Sequence, residues 1–371
     1  MTERPHLLLL SAYHASSHKR WTTGLVEHLQ PHFQITLKTQ PPRHFAWRSR
    51  GNSLHWAFDD HLADLQPDLL VATSMVDLAG LRGMLPHLAT TPTVAYFHEN
   101  QFAYPTRDDE LRPNLLLTNL YTALAADLVL FNSPHNRRTM LDGVHSFLRK
   151  MPDQVPPGVT DHLRRHSQIL AVPLENQLFV APRVRHEPDF SPPLRIIWNH
   201  RWEYDKAPER FFKALFDLAD EGVPFRLVVL GQRFREAPPI FEEARHRLQD
   251  RIDHMGHVSS REDYLQWLRR GDIVVSTALH EFQGLAVQEA VALGCRPVLP
   301  DRLAYPDFFE PPFLYPSDAA QPDADVQSLK DHLRPLLTFP DRLGDPPLPD
   351  LHSWSWEHLG PRYQTLFNDL L

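Results

Sequence analysis

The sequence has almost no cysteine and no long apolar run. Its single cysteine, Cys295, excludes a disulfide within the chain and any cluster of cysteine metal ligands, and it favours the reducing cytoplasm. The apolar run at 7–10 is far shorter than the roughly 20 residues that cross a bilayer, and no signal-peptide layout surrounds it. We therefore expect a cytoplasmic protein that does not enter a membrane.

A convincing Asp-x-Asp metal motif at the end of a strand is also missing. Acidic pairs occur at Asp59-Asp60 and Asp108-Asp109, but adjacent acids of this kind are typical of solvated surface. We expect no metal and no cofactor.

The chain has a deficit of positive charge. Its formal net charge of −8 argues against an indiscriminate nucleic-acid binder, because phosphate contacts need a surplus of lysine and arginine. One segment, residues 19–50, has the opposite balance, with Glu27 as its only acid. Its bases are Lys19, Arg20, Lys38, Arg43, Arg48 and Arg50. On charge alone, this segment is equally consistent with a basic binding surface and with an ordinary solvated face.

The length and the apolar pattern predict two α/β domains. A chain of 371 residues is too long for one ordinary core. Apolar runs alternate with helical patterns in both halves, as in doubly wound parallel sheets. The first half has runs at 6–13, 33–37, 68–72, 93–97 and 128–131, and the second at 194–198, 225–230, 272–276 and 296–299.

A proline-rich stretch at 180–193 predicts the linker between these domains. We predict an N-terminal domain at 1–182, a C-terminal domain at 183–350, and a terminal helix at 351–371 that packs back across the interdomain region. Both domains are expected to be Rossmann-like and to face a cleft. Ligands of such sheets lie beyond the carboxyl ends of the strands.

The strongest local motif follows the run at 272–276. There Glu281 and Glu289 stand eight positions apart, around the start of a predicted helix. The unpaired N–H groups of its first turn, in Phe282, Gln283, Gly284, Leu285 and Ala286, are suited to an anionic phosphate. Carboxylates beside a phosphate site accept hydrogen bonds from hydroxyls, which a sugar nucleotide carries at both ends. Taken alone, an N-capping Glu281 and a solvent-facing Glu289 explain the same residues.

A second motif, Arg201 and Lys206, follows the strand at 194–198. A guanidinium and an ammonium five residues apart would stabilise a departing diphosphate and replace a metal ion. Taken alone, they are equally consistent with salt bridges between domains.

Other polar residues at strand ends complete two predicted sites. Gly231 and Gln232 follow the strand at 225–230, and glycine permits a close backbone approach to a ligand. His254 is suited to cover a base or to cap a turn. In the first half, the polar run His98, Glu99, Asn100 and Gln101 ends a buried strand, which is costly unless something binds there. The segment with His14, Ser17 and His18 would close over phosphate or acceptor, or would simply begin a helix.

The second-half motifs resemble those of the retaining GT-B glycosyltransferases of family four. That resemblance implies that Arg201 and Lys206 bind the donor diphosphate, that Glu281 contacts the transferred sugar, and that Glu289 contacts the ribose. The usual Glu-Gly-Phe-Gly loop reads Glu281-Phe-Gln-Gly here, so the first glycine is replaced by Phe282.

The first-half motifs, together with two stretches of the second half, resemble the tRNA-queuosine alpha-mannosyltransferases. The matching stretches are 12–21, 42–48, 97–101, 132–133, 198–203 and 280–282. The resemblance implies transfer of mannose from GDP-mannose to the cyclopentenediol of queuosine in the anticodon of tRNA-Asp, with retention and without a metal. Catalytic roles then fall to His98, Arg201, Lys206 and Glu281. Acceptor contacts fall to His14, Ser17, His18, Lys19, Arg43, Trp47, Arg48, Arg50, Glu99, Asn100 and Gln101, with Trp47 able to stack on an extruded base.

Three other functions fit part of this pattern. A transferase with a glycan, lipid or small-molecule acceptor would keep the donor residues and bind no tRNA. A sugar-nucleotide epimerase would need no acceptor, and a non-catalytic binding module would hold the donor without turnover.

Overall fold

A computed structural model describes residues 4–104, 112–180, 193–232 and 237–371. The chain divides into two compact units, Met1–Glu175 with Trp354–Leu371, and Asn176–Ser353. The predicted boundary at 182/183 lies outside the described residues, as do nearly all of the predicted linker and the Asp108-Asp109 pair.

The first unit contains a parallel sheet of six strands. The strands are β1 (His6–Ser11), β2 (Gln34–Thr39), β3 (Leu69–Thr73), β4 (Thr93–Phe97), β5 (Leu128–Phe131) and β6 (Ser167–Ile169). Their order is β2-β1-β3-β4-β5-β6, and every pairing is parallel. The helices are α1 (Ser16–Leu29), α2 (Phe45–Ala57), α3 (Asp60–Ala63), α4 (Leu78–Met84), α5 (Arg112–Leu124), α6 (Pro134–Leu148) and α7 (Val159–Arg165). Because the sheet is covered on both faces, β1, β3 and β4 read as continuous apolar runs.

The second unit repeats this architecture. Its strands are β7 (Arg195–Asn199), β8 (Arg226–Leu230), β9 (Ile252–Gly256), β10 (Ile273–Val275), β11 (Arg296–Pro300) and β12 (Leu314–Tyr315), in the order β12-β11-β10-β7-β8-β9, all parallel. Its helices are α8 (Gln177–Val180), α9 (Pro208–Asp220), α10 (Ile240–Arg247), α11 (Arg261–Arg270), α12 (Leu285–Ala292) and α13 (Pro322–Thr338). The prediction of two Rossmann-like parallel-sheet domains is confirmed.

Short 3₁₀ turns join several of these elements. They span Pro86–Leu88, Tyr204–Lys206, Gln249–Arg251, Tyr305–Asp307, Pro311–Phe313, Pro340–Gly344 and His352–Trp354.

The C-terminal helix α14 (Trp356–Asn368) packs on the first unit. A Cβ on Gly24 of α1 would lie only 2.3 Å from the Trp356 indole, so the indole packs closely against this glycine. The Tyr363 hydroxyl accepts a hydrogen bond from the Trp21 indole at 3.1 Å and donates one to the Ala171 carbonyl at 3.0 Å. These aromatic side chains therefore belong to the core. Among the helices in the described ranges, none is long and apolar enough to cross a membrane.

Candidate active site

A buried ion pair lies at the carboxyl ends of β7 and β10. Lys206 is 7% exposed, and its ammonium lies 2.7 Å from the His280 carbonyl oxygen, 3.2 Å from Asp205 Oδ2 and 3.4 Å from Glu281 Oε2. The structure therefore brings together two predicted residues that stand 75 positions apart in the sequence.

Backbone contacts fix the two loops that carry this pair. The Thr277 hydroxyl donates to the carbonyl oxygens of Lys206 and Ala207 at 2.9 and 3.1 Å, and Leu279 N donates to Asp205 O at 2.8 Å. The Arg302 guanidinium in turn donates to the carbonyl oxygen of Thr277. These hydrogen bonds hold the loop after β10 against the loop after β7 without the help of a ligand.

The pair is held in its charged form. Burial raises the pKa of Glu281, but the Lys206 ammonium and His200 outweigh burial and leave the pKa at about 2. Burial lowers the pKa of Lys206, but Glu281 and Asp205 outweigh it and leave the pKa above its usual value. Burial and the Lys206 charge lower the pKa of His200 to about 4, so this neighbour is neutral. The site combines fixed charges with a neutral imidazole.

The loop between Glu281 and α12 differs from the predicted phosphate site, in which the N–H groups of residues 282–286 would bind the anion. The Glu281 Oε1 atom accepts from the N–H groups of Phe282 and Gln283 at 3.1 and 3.4 Å. These two donors were predicted to hold a phosphate, and here Glu281 engages them. Gly284 caps α12 with φ at +82°, a conformation that favours glycine. Leu285 then opens the first turn of α12, whose N–H groups have no acceptor within a helix.

Arg201 lies near the pair but is half exposed. Its guanidinium contacts Glu203 at 3.0 Å, and its charge acts to lower the pKa of Lys206. The described ion-pair partners of Arg201 and Lys206 are Glu203, Asp205 and Glu281.

Gly231 and Gln232 lie at the end of β8. Gly231 has φ of +136°, and a Cβ there would stand 1.9 Å from the His200 carbonyl oxygen. The close approach to the chain's own backbone is therefore sufficient to require glycine here, and an approach to a ligand stays a prediction. The carbonyl of the exposed Gln232 accepts from Trp202 N at 3.1 Å.

His254 lies on β9, beside α11. Its Nε2 atom lies 3.3 Å from the Gly256 carbonyl, and its ring is 5.2 Å from that of Trp267. It lines an open cavity of about 410 Å³ with Asp263 and Gln266. Among the described contacts, none joins His254 to Lys206, Glu281 or Glu289.

Glu289 is buried on α12, which excludes the solvent-facing alternative. Its side chain is 2% exposed, and both carboxylate oxygens accept from the Arg261 guanidinium, at 2.7 and 3.2 Å. The Tyr264 hydroxyl donates to the same carboxylate at 3.2 Å.

In the first unit, the ends of β1 and β4 bring together His18, His98 and Glu99. The rings of His18 and His98 are 4.2 Å apart, and His18 Nε2 lies 3.4 Å from Glu99 Oε2. His18 Nδ1 faces the Tyr13 carbonyl at 2.5 Å, and the Ser74 hydroxyl donates to Glu99 Oε1 at 3.2 Å. The predicted residues from 14–18 and 97–101 thus form one cluster.

The two histidines have opposite protonation tendencies. Burial lowers the pKa of His18, but Glu99 and the Tyr13 carbonyl outweigh it and raise the pKa above its usual value. Burial and the neighbouring His18 charge hold the pKa of His98 well below its usual range. His98 Nε2 is buried and has no hydrogen-bond partner among the described residues. Glu99 therefore favours the protonated form of His18, while burial favours the neutral form of His98.

The segment before and within the start of α1 surrounds this cluster. His14 Nδ1 lies 3.1 Å from Ser11 Oγ, and burial, with His18 and Lys19, lowers the pKa of His14. Ser17 and Lys19 are exposed in the first turn of the helix, whose N-cap is Ala15.

Helix α2 carries an exposed aromatic ring beside basic residues. The Trp47 indole lies against Gly51, where a Cβ would be 2.5 Å from the ring, yet the side chain is 60% exposed. Arg43 is exposed, Arg48 donates to Gln40 Oε1 at 2.7 Å, and Arg50 lies 3.4 Å from Asp77. Since the ring of Tyr13 contacts that of Phe45 at 5.7 Å, α2 adjoins the loop after β1.

Two predicted acceptor residues, Asn100 and Gln101, form contacts within the protein. Asn100 is fully buried, and its amide donates to Asn136 and to Thr139 on α6, while its Oδ1 accepts from Ala103 N at 3.0 Å. The backbone N–H of the buried Gln101 donates to Asn119 Oδ1 at 2.8 Å. Both ends of the Asn100 amide are therefore engaged within the protein, which corrects its assignment as an acceptor contact, whereas the assignment of Gln101 stays a prediction.

Several site residues were missed in the sequence. Asn199, His200 and Asp205 lie beside the predicted motif and were identifiable by position alone, since Asn199 is the last residue of β7 and the other two follow it. Arg261 and Tyr264 gave no local signal, because their partner Glu289 lies 28 and 25 positions away.

Known proteins match both halves of the chain. Residues 6–174 match the family model "tRNA-queuosine alpha-mannosyltransferase N-terminal", and residues 184–342 match "Glycosyl transferases group 1". A tRNA-queuosine alpha-mannosyltransferase of Drosophila melanogaster is 34% identical over 321 residues, which cover 84% of each chain.

Solved structures share the fold over the whole length. A sucrose-phosphate synthase from Thermosynechococcus elongatus has a TM-score of 0.71 at 14% identity, covering 98% of this chain and 99% of its own. A lipopolysaccharide outer core galactosyltransferase has a TM-score of 0.64 at 11% identity, covering 99% and 100%.

Proposed function

The chain belongs to the tRNA-queuosine alpha-mannosyltransferase family, and from this premise we propose that it transfers mannose from GDP-mannose to queuosine in tRNA-Asp. The protein is a hexosyltransferase with the GT-B fold. GDP, mannose, tRNA-Asp and a cytoplasmic location are parts of the proposal.

The observation that carries the donor assignment is the buried Lys206–Glu281 pair. A nucleoside diphosphate gains negative charge as it leaves, and a fixed ammonium with little surrounding water stabilises that charge strongly. Lys206 supplies this charge from a buried position, and Arg201 adds a second cation beside it. In our proposal these two cations replace a metal ion.

The proposed reaction exchanges one bond at C1 of the sugar. The C1–O bond to the diphosphate breaks, the acceptor hydroxyl oxygen attacks from the same face, and its proton passes to the departing phosphate oxygen. Glu281 orients the sugar by accepting from its hydroxyls while Lys206 keeps the carboxylate ionised. No covalent intermediate with the protein is needed.

His98 is suited to assist as a neutral group. Burial keeps its imidazole uncharged, so it can hydrogen-bond the sugar without repelling the positive character that develops at C1. His18 and Glu99 beside it, with His18 Nε2 3.4 Å from Glu99 Oε2, are suited to bind acceptor hydroxyls.

The α2 surface supports an RNA acceptor. RNA that is read in single-stranded loops presents unstacked bases to aromatic rings and phosphates to arginines. Trp47 offers an exposed indole supported from beneath by Gly51, and Arg43 lies exposed in the adjoining segment.

The test is incubation with GDP-mannose and queuosine-containing tRNA-Asp, followed by digestion of the RNA and mass spectrometry. We expect a queuosine nucleoside heavier by one hexose. UDP-glucose, UDP-galactose and tRNA lacking queuosine serve as controls. If GDP-mannose binds and no nucleoside gains a hexose, the acceptor assignment is overturned and the donor site stands.

A further inference from the structure

A buried carboxylate in the first turn of α13 holds two arginines of the second unit. Asp325 is 2% exposed, and it accepts hydrogen bonds from Arg210 on α9 and from Arg302, which follows β11. The Arg302 contact is 2.9 Å long, and the same guanidinium donates to the Ser317 hydroxyl. A buried charge is costly when it is left unpaired, so both arginines are needed where they are. Asp325 therefore fixes the position of the Arg302 guanidinium.

The Arg302 guanidinium also holds the loop at 276–284, which joins β10 to α12. Its Nε atom donates to the Ala278 carbonyl at 3.1 Å, and its Nη2 atom donates to the Thr277 carbonyl at 3.2 Å. Both residues are buried and lie beyond the end of β10, so a side chain supplies the donors that the sheet gives to the strand itself. The five N–H groups of a guanidinium point in fixed directions, which suits contact with two carbonyls and a carboxylate at once.

The same loop carries the charges of the candidate donor site. The His280 carbonyl accepts from the Lys206 ammonium at 2.7 Å, and Glu281 Oε2 lies 3.4 Å from that ammonium. The Thr277 hydroxyl donates to the Lys206 carbonyl at 2.9 Å, so Thr277 contacts both Arg302 and the segment that carries Lys206. Arg302 therefore helps to fix the ammonium and the carboxylate through the backbone of the loop.

We propose that Arg302 is a positioning residue for glycosyl transfer, which holds the loop at 276–284 so that Lys206 and Glu281 meet the departing diphosphate and the sugar in the productive geometry. This inference rests on the proposed function, because it assumes that the pair acts on a sugar nucleotide. Arg302 acts through the loop, without a contact to the substrate. When its donors are removed, the two carbonyls turn toward water and the loop moves with them, since a buried carbonyl without a donor is costly.

The experiment compares four full-length proteins: the wild type, Arg302→Met, Arg302→Lys and the matched control Arg210→Met. Arg210 donates to Asp325 and to the Ala319 carbonyl, and among its described contacts none reaches the loop at 276–284. Arg302→Met and Arg210→Met each leave Asp325 with one guanidinium, so their melting temperatures should fall by similar amounts. Steady-state transfer gives kcat and both KM values, and hydrogen exchange followed by mass spectrometry measures the opening of the loop.

We expect kcat of Arg302→Met to fall by about 10- to 100-fold, because a displacement of about 1 Å in a catalytic group has an effect of this size. KM for GDP-mannose and for tRNA should stay within about threefold of the wild type, since the displaced charges act mainly on the transition state. The amides of the loop should exchange faster in this variant. Arg210→Met should keep the wild-type kcat and loop exchange. Arg302→Lys keeps a cation beside Asp325 but has fewer donors, so it should melt near the wild-type temperature and recover part of kcat.

Two results overturn the inference. One is an equal loss of kcat in Arg302→Met and Arg210→Met, which would mean that both report only lost stability. The other is a kcat of Arg302→Met within about twofold of the wild type. If Arg302→Met does not fold, Arg302→Lys decides in its place, and a kcat equal to that of Arg210→Met overturns the inference.

Failure of the proposed function gives a different result. If the wild type transfers no hexose, but loop exchange rises in Arg302→Met and not in Arg210→Met, the proposed reaction is overturned and the positioning of Lys206 and Glu281 by Arg302 stands. If the wild type transfers hexose and both variants keep its kcat, the proposed function stands and the inference alone is overturned.

Discussion

The candidate donor site and the surface around α2 differ in their exposure to water. In the second unit the charges of the candidate donor site are paired inside the protein, Lys206 with Glu281 and Glu289 with Arg261. In the first unit, Trp47 on α2 and Arg43 just before it are exposed to solvent. Buried, paired charges suit a small charged ligand, because charges that are fixed in a site with little water need no reorganisation during the reaction. Exposed cationic side chains suit a large polyanion, because its many phosphates can pair with them over a wide surface.

The largest expected effect concerns the paired charges. Lys206→Met keeps the aliphatic stem and removes the ammonium that would stabilise the departing diphosphate. We expect kcat to fall by about 10²- to 10³-fold, the usual size of a lost electrostatic group in a preorganised site. Single-turnover transfer with saturating donor measures this loss. Lys213→Met, at an exposed position of α9, is the matched control. A rate within threefold of the wild type for Lys206→Met would show that the buried pair is structural.

The second effect tests whether water reaches the buried site around Lys206 and Glu281. Burial lowers the pKa of His200 to about 4, from 6.5 for an ordinary histidine. Between these pH values the unfolded chain binds a proton that folded His200 does not, so stability rises with pH and is lost on acidification. The full contribution is about 3 kcal/mol.

Urea unfolding between pH 4 and pH 7 measures this contribution. We expect His200→Gln to flatten the loss of stability in this range, and a substitution at the exposed His55 to leave it unchanged. An unaltered pH profile in His200→Gln would mean that water reaches the site.

The sequence predicted the architecture and singled out Lys206 and Glu281, because strand positions and strand-end motifs are local patterns. Continuous apolar runs identify the strands that are buried on both faces, and helices α9 and α12 begin where their patterns begin, at Pro208 and Leu285. Strand β9 was missed, since its residues are half-buried at the edge of the sheet and mix Asp253 and His254 with apolar positions.

The rest of the candidate site depends on contacts that no local pattern encodes. The pairing of Arg261 with Glu289 joins two helices, and the pairing of His18 with Glu99 spans 81 positions. The burial of the polar run at 97–101 has two physical explanations: its polar groups bind a ligand, or they form hydrogen bonds within the protein. Glu99 and Asn100 are neighbours in the sequence, yet only Asn100 is fully enclosed.

The third effect concerns the exposed surface. Trp47→Ala removes the ring on which we expect an unstacked base to lie, and base stacking on an aromatic side chain is worth about 1–3 kcal/mol. We expect KM for tRNA to rise about tenfold, with KM for GDP-mannose unchanged. Phe58→Ala, an exposed aromatic residue directly after α2, is the control, and it should leave both constants unchanged. Equal losses in the two variants would indicate a general apolar contact in place of a stacking platform.

The smallest effect separates the position of the Trp47 ring from its presence. A Cβ at Gly51 would stand 2.5 Å from the indole, so Gly51→Ala displaces the ring without removing it. Alanine favours a helix over glycine by up to about 1 kcal/mol, so the variant should melt no lower than about the wild-type temperature while KM for tRNA rises about two- to fivefold. Gly83→Ala on α4, where a Cβ would contact nothing within 4 Å, is the matched control for helix propensity. Because helix propensity and ring position act in opposite directions here, a more stable protein with weaker tRNA binding would separate them. A Gly51→Ala variant with unchanged KM for tRNA would mean that the ring need not lie flat on α2.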